Sequence, residues 1–252
     1  MINEKQVIVG LDAMGGDYAP SEHVLGAIHA IEKESGITVL LFGDETRLRQ
    51  ELSGHIYDEE RILIRHCESV VDNCDVPTVA IRQKKDSSMV KGLYALREKE
   101  ADAFVSCGNT GALLVGGQTI VGRIPGVTRA GLAFLLPTME KPALLIDAGA
   151  NVDTRPDMLV QFAKMGSIYK GSLSASITSK VGALLVKNEI KKAMRQFSVE
   201  EYGGAPMLGL KQFVVKTHGN SKAPEICNTI LQCRTAVIEG IDRKIAESLK
   251  KD

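Results

Sequence analysis

The feature that most restricts the fold is an alternation. Short apolar runs are separated by amphipathic stretches of helical length, and several runs end in glycine turns. The runs QVIVGLD (6–12), ITVLLFGD (37–44), RILIRH (61–66), DAFVS (102–106) and QFVVKT (212–217) read as strands, as do AGLAFLL (130–136) and ALLID (143–147). Between them lie helical patterns at 20–34, 45–52, 87–99, 110–122, 156–169 and 223–250. In the first, Val24, Leu25, Ile28 and Ile31 share a face, and Pro20 suits a first-turn position. Ser87 or Ser88 would cap the third. Near-continuous apolar strands joined by helices imply an α/β fold with three layers, a mostly parallel sheet covered on both faces. Ligands bind such sheets beyond the carboxyl ends of the strands. The glycine turns at 15–16, 108–111 and 149 are therefore expected to meet in one cleft.

A chain of 252 residues suits a single α/β domain spanning 1–252. Lys plus Arg equals Asp plus Glu, at 31 each, Trp is absent, and no basic tail is seen, so nothing points to nucleic acid. The five Cys form no CxxC and the five His are scattered, which argues for reduced, buried thiols rather than a metal site. No signal-peptide pattern opens the chain and no apolar run is long enough to cross a bilayer, so a cytoplasmic protein is expected.

The alternation fails after Tyr169. Residues 170–197 read as helix with no strand between. Ile177, Val181, Leu184 and Leu185 mark one apolar face, and Ile190, Met194 and Phe197 mark another. Lys180, Lys187, Lys191 and Arg195 cluster on one flank. A segment at 172–200 is thus expected to project from the sheet. Its basic flank would be either a solvated face or a contact for an anionic membrane surface or an acidic protein.

Five stretches could carry chemistry. In SCGNTGALL (106–114), Gly108, Asn109, Thr110 and Gly111 join a strand to a helix, as an anion seat of backbone amides and side-chain donors or as a capped turn. Cys107 beside them is a conceivable nucleophile but has no adjacent base. RQKKDSSM (82–89) puts Lys84 and Lys85 before a helix start bearing Ser87 and Ser88, a phosphate-binding pattern or a solvated charge run. In IDAGANVDTRP (146–156), Asn151 and Asp153 could orient backbone and cations, and with Asp147 could hold a divalent metal. His218 and Asn220 close a strand in THGNS (217–221). The first turn, GLDAMGGDYAP (10–20), sets Asp12 and Asp17 around Gly15 and Gly16. No Walker A pattern and no G-x-G-x-x-G is present.

Together the stretches DAMGGDYAP, RQKKDSSMV, SCGNTGALL, VGRIPGVTR, LPTM, DAGANVDTRPDMLVQFAKMG and EYGGAPMLGLKQFVVKTHGNS resemble, in this order, the bacterial phosphate acyltransferases of phospholipid synthesis. The likeness covers most of 6–240. It implies a homodimer with an isocitrate/isopropylmalate dehydrogenase-like fold. It also implies transfer of a fatty acyl group from acyl-ACP to inorganic phosphate, with a membrane acyltransferase downstream and no cofactor or metal. Rival readings are a short-chain phosphate acetyltransferase using acyl-CoA and a non-catalytic anion- or acyl-binding protein. The family carries a further segment after MGSIY that this chain lacks, so a chain break is expected near 169–171. Cys107 also stands where the family commonly has Ala.

On this reading phosphate sits on the amides of 108–111, with Asn109 and Thr110 as donors. Lys84 or Lys85 supplies charge, and His218 or Asn220 polarises the carbonyl or manages a proton. Asp12 either takes a proton from hydrogen phosphate or, like Asp17, supports the turn and its cations. Gly15, Gly16, Ser87, Ser88, Asn151 and Asp153 complete the expected substrate site.

Overall fold

The computed structural model describes residues 6–136, 142–178 and 203–250. Its core is a seven-stranded sheet. The strands are β1 (Val7–Asp12), β2 (Ile37–Gly43), β3 (Ile62–His66), β4 (Ala103–Ser106), β5 (Gly131–Leu132), β8 (Ala205–Leu208) and β9 (Phe213–Lys216), in spatial order β3-β2-β1-β4-β9-β8-β5. The five strands from β3 to β9 are mutually parallel, while β8 runs antiparallel to both β9 and β5. The stretches read as two strands at 130–136 and 143–147 contribute only β5 to this sheet. The remainder forms a separate antiparallel ribbon, β6 (Phe134–Leu136) with β7 (Ala143–Leu145).

Side-chain alternation builds the layers. Val7, Val9 and Leu11 enter one apolar cluster with α1 (Ser21–Lys33), α7 (Ala223–Glu239) and α8 (Ile241–Leu249). Leu40, Phe42, Phe104 and Val214 enter the opposite cluster with α4 (Ser88–Arg97) and α5 (Thr110–Gly116). The short helices α2 (Glu45–Leu52) and α3 (Pro77–Gln83) complete the connections. Helices α2, α4 and α5 fall where the sequence puts them, and Asp44, Ser87 and Asn109 cap them. A π-helical turn, Gly117–Val121, follows α5.

Three elements differ from the reading. The terminal helix expected at 223–250 breaks at Gly240, which is left-handed at φ 61. Strand β8 carries Pro206, which cannot donate to a ladder, so its sequence reads as turn. Helix α6 (Pro156–Thr178) outruns its expected end and passes unbroken through Tyr169, Lys170 and Gly171. Among the described residues, β9 pairs straight onto β4, Ala103 with Phe213 through Ser106 with Lys216. Met158, Phe162, Met165 and Tyr169 are all buried at helical spacing, so one face of α6 stays docked up to that point. Beyond it, most of the segment read as projecting, from 179 to 200, lies outside the described residues.

One helical glycine is fixed by packing. A Cβ on Gly92, in α4, would lie 2.0 Å from Phe104 Cε2. Phe104 is fully buried and meets Phe42 edge-on, ring centroids 6.1 Å apart. Propensity alone favours Gly→Ala in a helix by about 1 kcal/mol. Overpacking a rigid core costs about 1–3 kcal/mol or more, and here it wins. Gly92→Ala is therefore expected to lower the urea midpoint, with net destabilisation on the order of 1–2 kcal/mol.

Candidate active site

The parallel register sets a polar row across the carboxyl ends of three neighbouring strands. Asp12 of β1 pairs with Ser106 of β4, and Ser106 pairs with Lys216 of β9. These three occupy positions that continue the face of Phe104 and Val214, so the row tops an apolar layer. Each is buried, with Asp12 1 % and Lys216 8 % exposed. Ser106 Oγ donates to Asp12 Oδ2 at 2.7 Å and accepts from the Gly108 amide at 3.0 Å. The other carboxylate oxygen accepts from the Met14 amide at 3.4 Å. Asp12 thus ties the first turn to the second from within.

Gly15 and Gly16 permit this contact. A Cβ on Gly15 would sit 2.5 Å from Asp12 Oδ2 and 3.0 Å from the Gly108 backbone. Gly16 has φ +111, and a Cβ there would press on Cys107 and on the Gly219 carbonyl. The Asp17 amide donates to that carbonyl at 2.8 Å. Three turns, at 15–17, 107–108 and 217–220, therefore meet; the first two are among those expected to converge, while the third stands in place of the turn at 149.

They border a cavity of about 720 Å³. Gly108, Thr110, Lys216, Thr217, His218 and Asn220 line its polar side. Leu132, Phe134, Ala148 and Ala205 line an apolar wall. Of the expected residues, Gly108, Thr110, His218 and Asn220 reach the cavity. Asp12, Gly15, Gly16 and Asp17 stand behind it as support. Of the third turn, Ala148 reaches the far wall and Gly149 does not.

The others have different work. Asn109 caps α5 through the Ala112 amide at 2.9 Å, and its Nδ2 donates to the carbonyls of Asp72, Asn73 and Asp75 at 3.1–3.3 Å. Its side chain is fully committed and holds the 72–75 loop, so it is not the phosphate donor expected. Gly111 packs against Pro77 rather than facing the cavity. Lys84 is ion-paired to Asp75 at 2.5 Å and Asp72 at 3.1 Å, and bonds the Val70 carbonyl. Those carboxylates hold its pKa above the ordinary lysine value. It too fastens the loop, which contradicts its reading as a free phosphate ligand. Lys85 is exposed and does not line the cavity. Ser87 caps α4 and Ser88 is buried in its first turn. Asn151 binds Asp147 and the Ala130 carbonyl, while Asp147 accepts from the amides of Leu132, Ala150 and Asn151. Asp153 is exposed. Asn151 and Asp153 are thus loop residues outside the cavity.

Sequence reasoning missed Lys216, Thr217 and the apolar wall. The available signal was a lysine ending a strand otherwise made of Phe and Val. Cys107 accepts the Thr217 hydroxyl at 2.8 Å, and burial pushes its thiol up to about 12, so it is no thiolate nucleophile. Lys216 Nζ donates to the carbonyls of Cys107, at 3.2 Å, and Thr217. Burial pulls its pKa below the ordinary lysine value, against the pull of Cys107, Asp12 and Asp17.

The architecture defines a class. Solved structures with this fold include a phosphotransacetylase from Streptococcus pyogenes (TM-score 0.62, 15% identity, 93% of this chain and 94% of that one) and a branched-chain phosphotransacylase from Enterococcus faecalis V583 (TM-score 0.55, 12% identity, 92% and 99%). The sequence matches the family described as "Fatty acid synthesis protein" over residues 7–176 and 168–244. Curated relatives named phosphate acyltransferase include that of Alkaliphilus oremlandii, 33% identical over 325 residues (96% of each chain), and that of Clostridioides difficile, 33% identical over 326 residues (94% of this chain, 96% of that one). The chain belongs to the phosphate acyltransferase family. Its 252 residues face an alignment of 325, and the two family matches overlap at 168–176. The relatives therefore carry an internal stretch at α6 that has no counterpart here.

Two outcomes test this account. Asn109→Ala should cost about 1–2 kcal/mol in urea unfolding through the lost cap. Asn109→Asp should give no rescue, because it keeps the cap acceptor and turns an oxygen toward three carbonyls. His23, 1 % exposed, has a pKa lowered by burial despite the opposing charge of Asp12. An unfolded histidine near 6.5 binds its proton first, so stability should fall as pH drops below that value and on toward the folded pKa. The thermal midpoint of His23→Phe should show a shallower decline between neutral and acid pH.

Proposed function

We propose that this protein transfers a fatty acyl group from acyl-ACP to inorganic phosphate, giving acyl-phosphate for phospholipid synthesis. The carrying observation is the cavity, which pairs a polar floor of strand-end turns with an apolar wall of Leu132, Phe134, Ala148 and Ala205. Acyl transfer to phosphate needs both an anion seat and a dry slot for the chain. Membership of the phosphate acyltransferase family points to the same chemistry.

In this reading an oxygen of hydrogen phosphate attacks the thioester carbonyl carbon. The carbon–sulfur bond breaks, and the phosphate proton ends on the departing sulfur. The protonated, buried Cys107 argues for direct transfer without an acyl-enzyme. The amide of Thr110 and the side chains of Thr110 and Asn220, all at the cavity, supply donors. His218, exposed at the mouth, polarises the carbonyl or relays the proton. Asp12 positions Ser106 and Gly108 rather than taking a proton, since its oxygens already accept from within. Homodimerisation, contact with a membrane surface and hand-over to a membrane acyltransferase belong to the same proposal, on the strength of the family resemblance.

The test is thiol release from long-chain acyl-ACP and from short- and long-chain acyl-CoA, each with and without phosphate. Phosphate-dependent release, fastest with acyl-ACP, is expected. Release faster from short-chain acyl-CoA would assign the acetyltransferase reading instead. Release indifferent to phosphate, or no release, would overturn the acyltransferase.

A further inference from the structure

Lys216 is the buried cation at the floor of the cavity. Its ammonium touches two backbone carbonyls, and among the described residues no carboxylate is paired with it. Asp12 lies two strands away along the row, its oxygens held by Ser106 and Met14. A buried charge is normally paired, because its desolvation costs several kcal/mol. Carbonyl dipoles solvate the ammonium but do not neutralise it. An anion that pairs with the ammonium can reach it from the cavity that Lys216 lines, which Glu225 also borders.

We propose that Lys216 is the cation of the phosphate site, set against the amide and hydroxyl of Thr110, which lines the same cavity. This deepens the phosphate acyltransferase reading and rests on it. The lysines before α4 cannot serve, since Lys84 is spent on Asp72 and Asp75 and Lys85 is exposed outside the cavity. A compact ammonium on a strand end, held by two carbonyls, is also better ordered than a lysine on a loop. In the transfer it holds the phosphate oxygens that do not attack, and leaves the attacking one free to reach the carbonyl carbon.

Charge state gives an independent signature. The titratable groups facing Lys216 are Asp12 of β1, Asp17 of the first turn, Cys107 after β4, His218 after β9 and Glu225 of α7. With no anion bound, burial outweighs them and favours the neutral amine. Phosphate binding favours the charged ammonium and opposes that lowering, so affinity should fall as pH rises through the lowered pKa. Phosphate's own titration only adds negative charge as pH rises, so it does not cause the fall.

The experiment measures inorganic phosphate binding by calorimetry, and phosphate and acyl-donor KM, for the full chain, Lys216→Met and Lys216→Arg. Lys216→Met should weaken phosphate binding and raise phosphate KM on the order of ten- to a hundredfold, with acyl-donor KM unchanged. Lys216→Arg should keep phosphate binding and hold it to higher pH than the parent. Should Lys216→Met fail to fold, the Arg variant decides. The parent's pH dependence retained in Arg overturns the proposal, as does undiminished binding in a folded Met variant. Failure of the function reading looks different: phosphate binds in a Lys216-dependent way but no acyl donor turns over. Turnover with phosphate binding indifferent to Lys216 would overturn this inference alone. No phosphate binding by the parent would end it outright.

Discussion

The hydrogen bond from Ser106 Oγ to Asp12 Oδ2 is the contact on which the site's shape depends. It crosses from β1 to β4 at their carboxyl ends, and Ser106 passes it on to the Gly108 amide. A carboxylate 1 % exposed must be satisfied from inside the protein, and this one has donors on both oxygens. The turns after β1 and β4 are consequently locked to each other before any ligand arrives. The two aspartates flanking Gly15 and Gly16 do not oppose an anion, because Asp12 points into the sheet. Its negative charge lies in the same row as Lys216, where it tempers the cost of the buried ammonium without cancelling it. The side left open to the cavity then carries the Thr110 hydroxyl, the Asn220 amide and the Lys216 ammonium, with the Glu225 carboxylate also on its lining.

Parallel pairing is what lets residues distant in sequence form that row. Side chains alternate strictly, so a one-residue slip of β9 would replace Lys216 with Val215 or Thr217 on this face. Register is held by the apolar residues beneath. Phe104, Phe42 and Val214 fill one layer, and Val105 and Val215 fill the other. The close fit of Phe104 on Gly92 shows how little play that layer has. The polar row thus inherits its order from packing.

Much of this was legible beforehand, and the errors have one cause. Every strand of the parallel core could be read from apolar runs, since burial on both faces leaves a continuous signal. Strand β8 could not, because Pro206 and its glycines mimic a turn. The three turns were located, yet their side chains were misassigned. Asn109, Ser87 and Asn151 offer the same donors and acceptors to a helix start, a loop carbonyl or a phosphate, and sequence alone cannot say which partner is nearer. Lys84 shows the same ambiguity for charge, resolved by Asp72 and Asp75 in a loop without secondary structure. Lys216 was passed over for the opposite reason. It looked like the polite polar end of a strand, and its burial becomes visible only when β4 and β8 flank it.

The internal stretch that relatives carry and this chain lacks can now be weighed against the site. It would enter at α6, near Tyr169, whose hydroxyl accepts from Gln232 of α7. The elements that build the polar floor of the cavity are β1, β4 and β9, paired strand to strand with nothing between them. The apolar wall comes from β5, the ribbon and β8. Neither depends on residues inserted into α6. Gly203, Gly204 and the 218–221 turn, which also line the cavity, likewise lie outside α6. The described walls of the cavity are thus built from strands, turns, α5 and α7, and not from the helix at which this chain and its longer relatives differ.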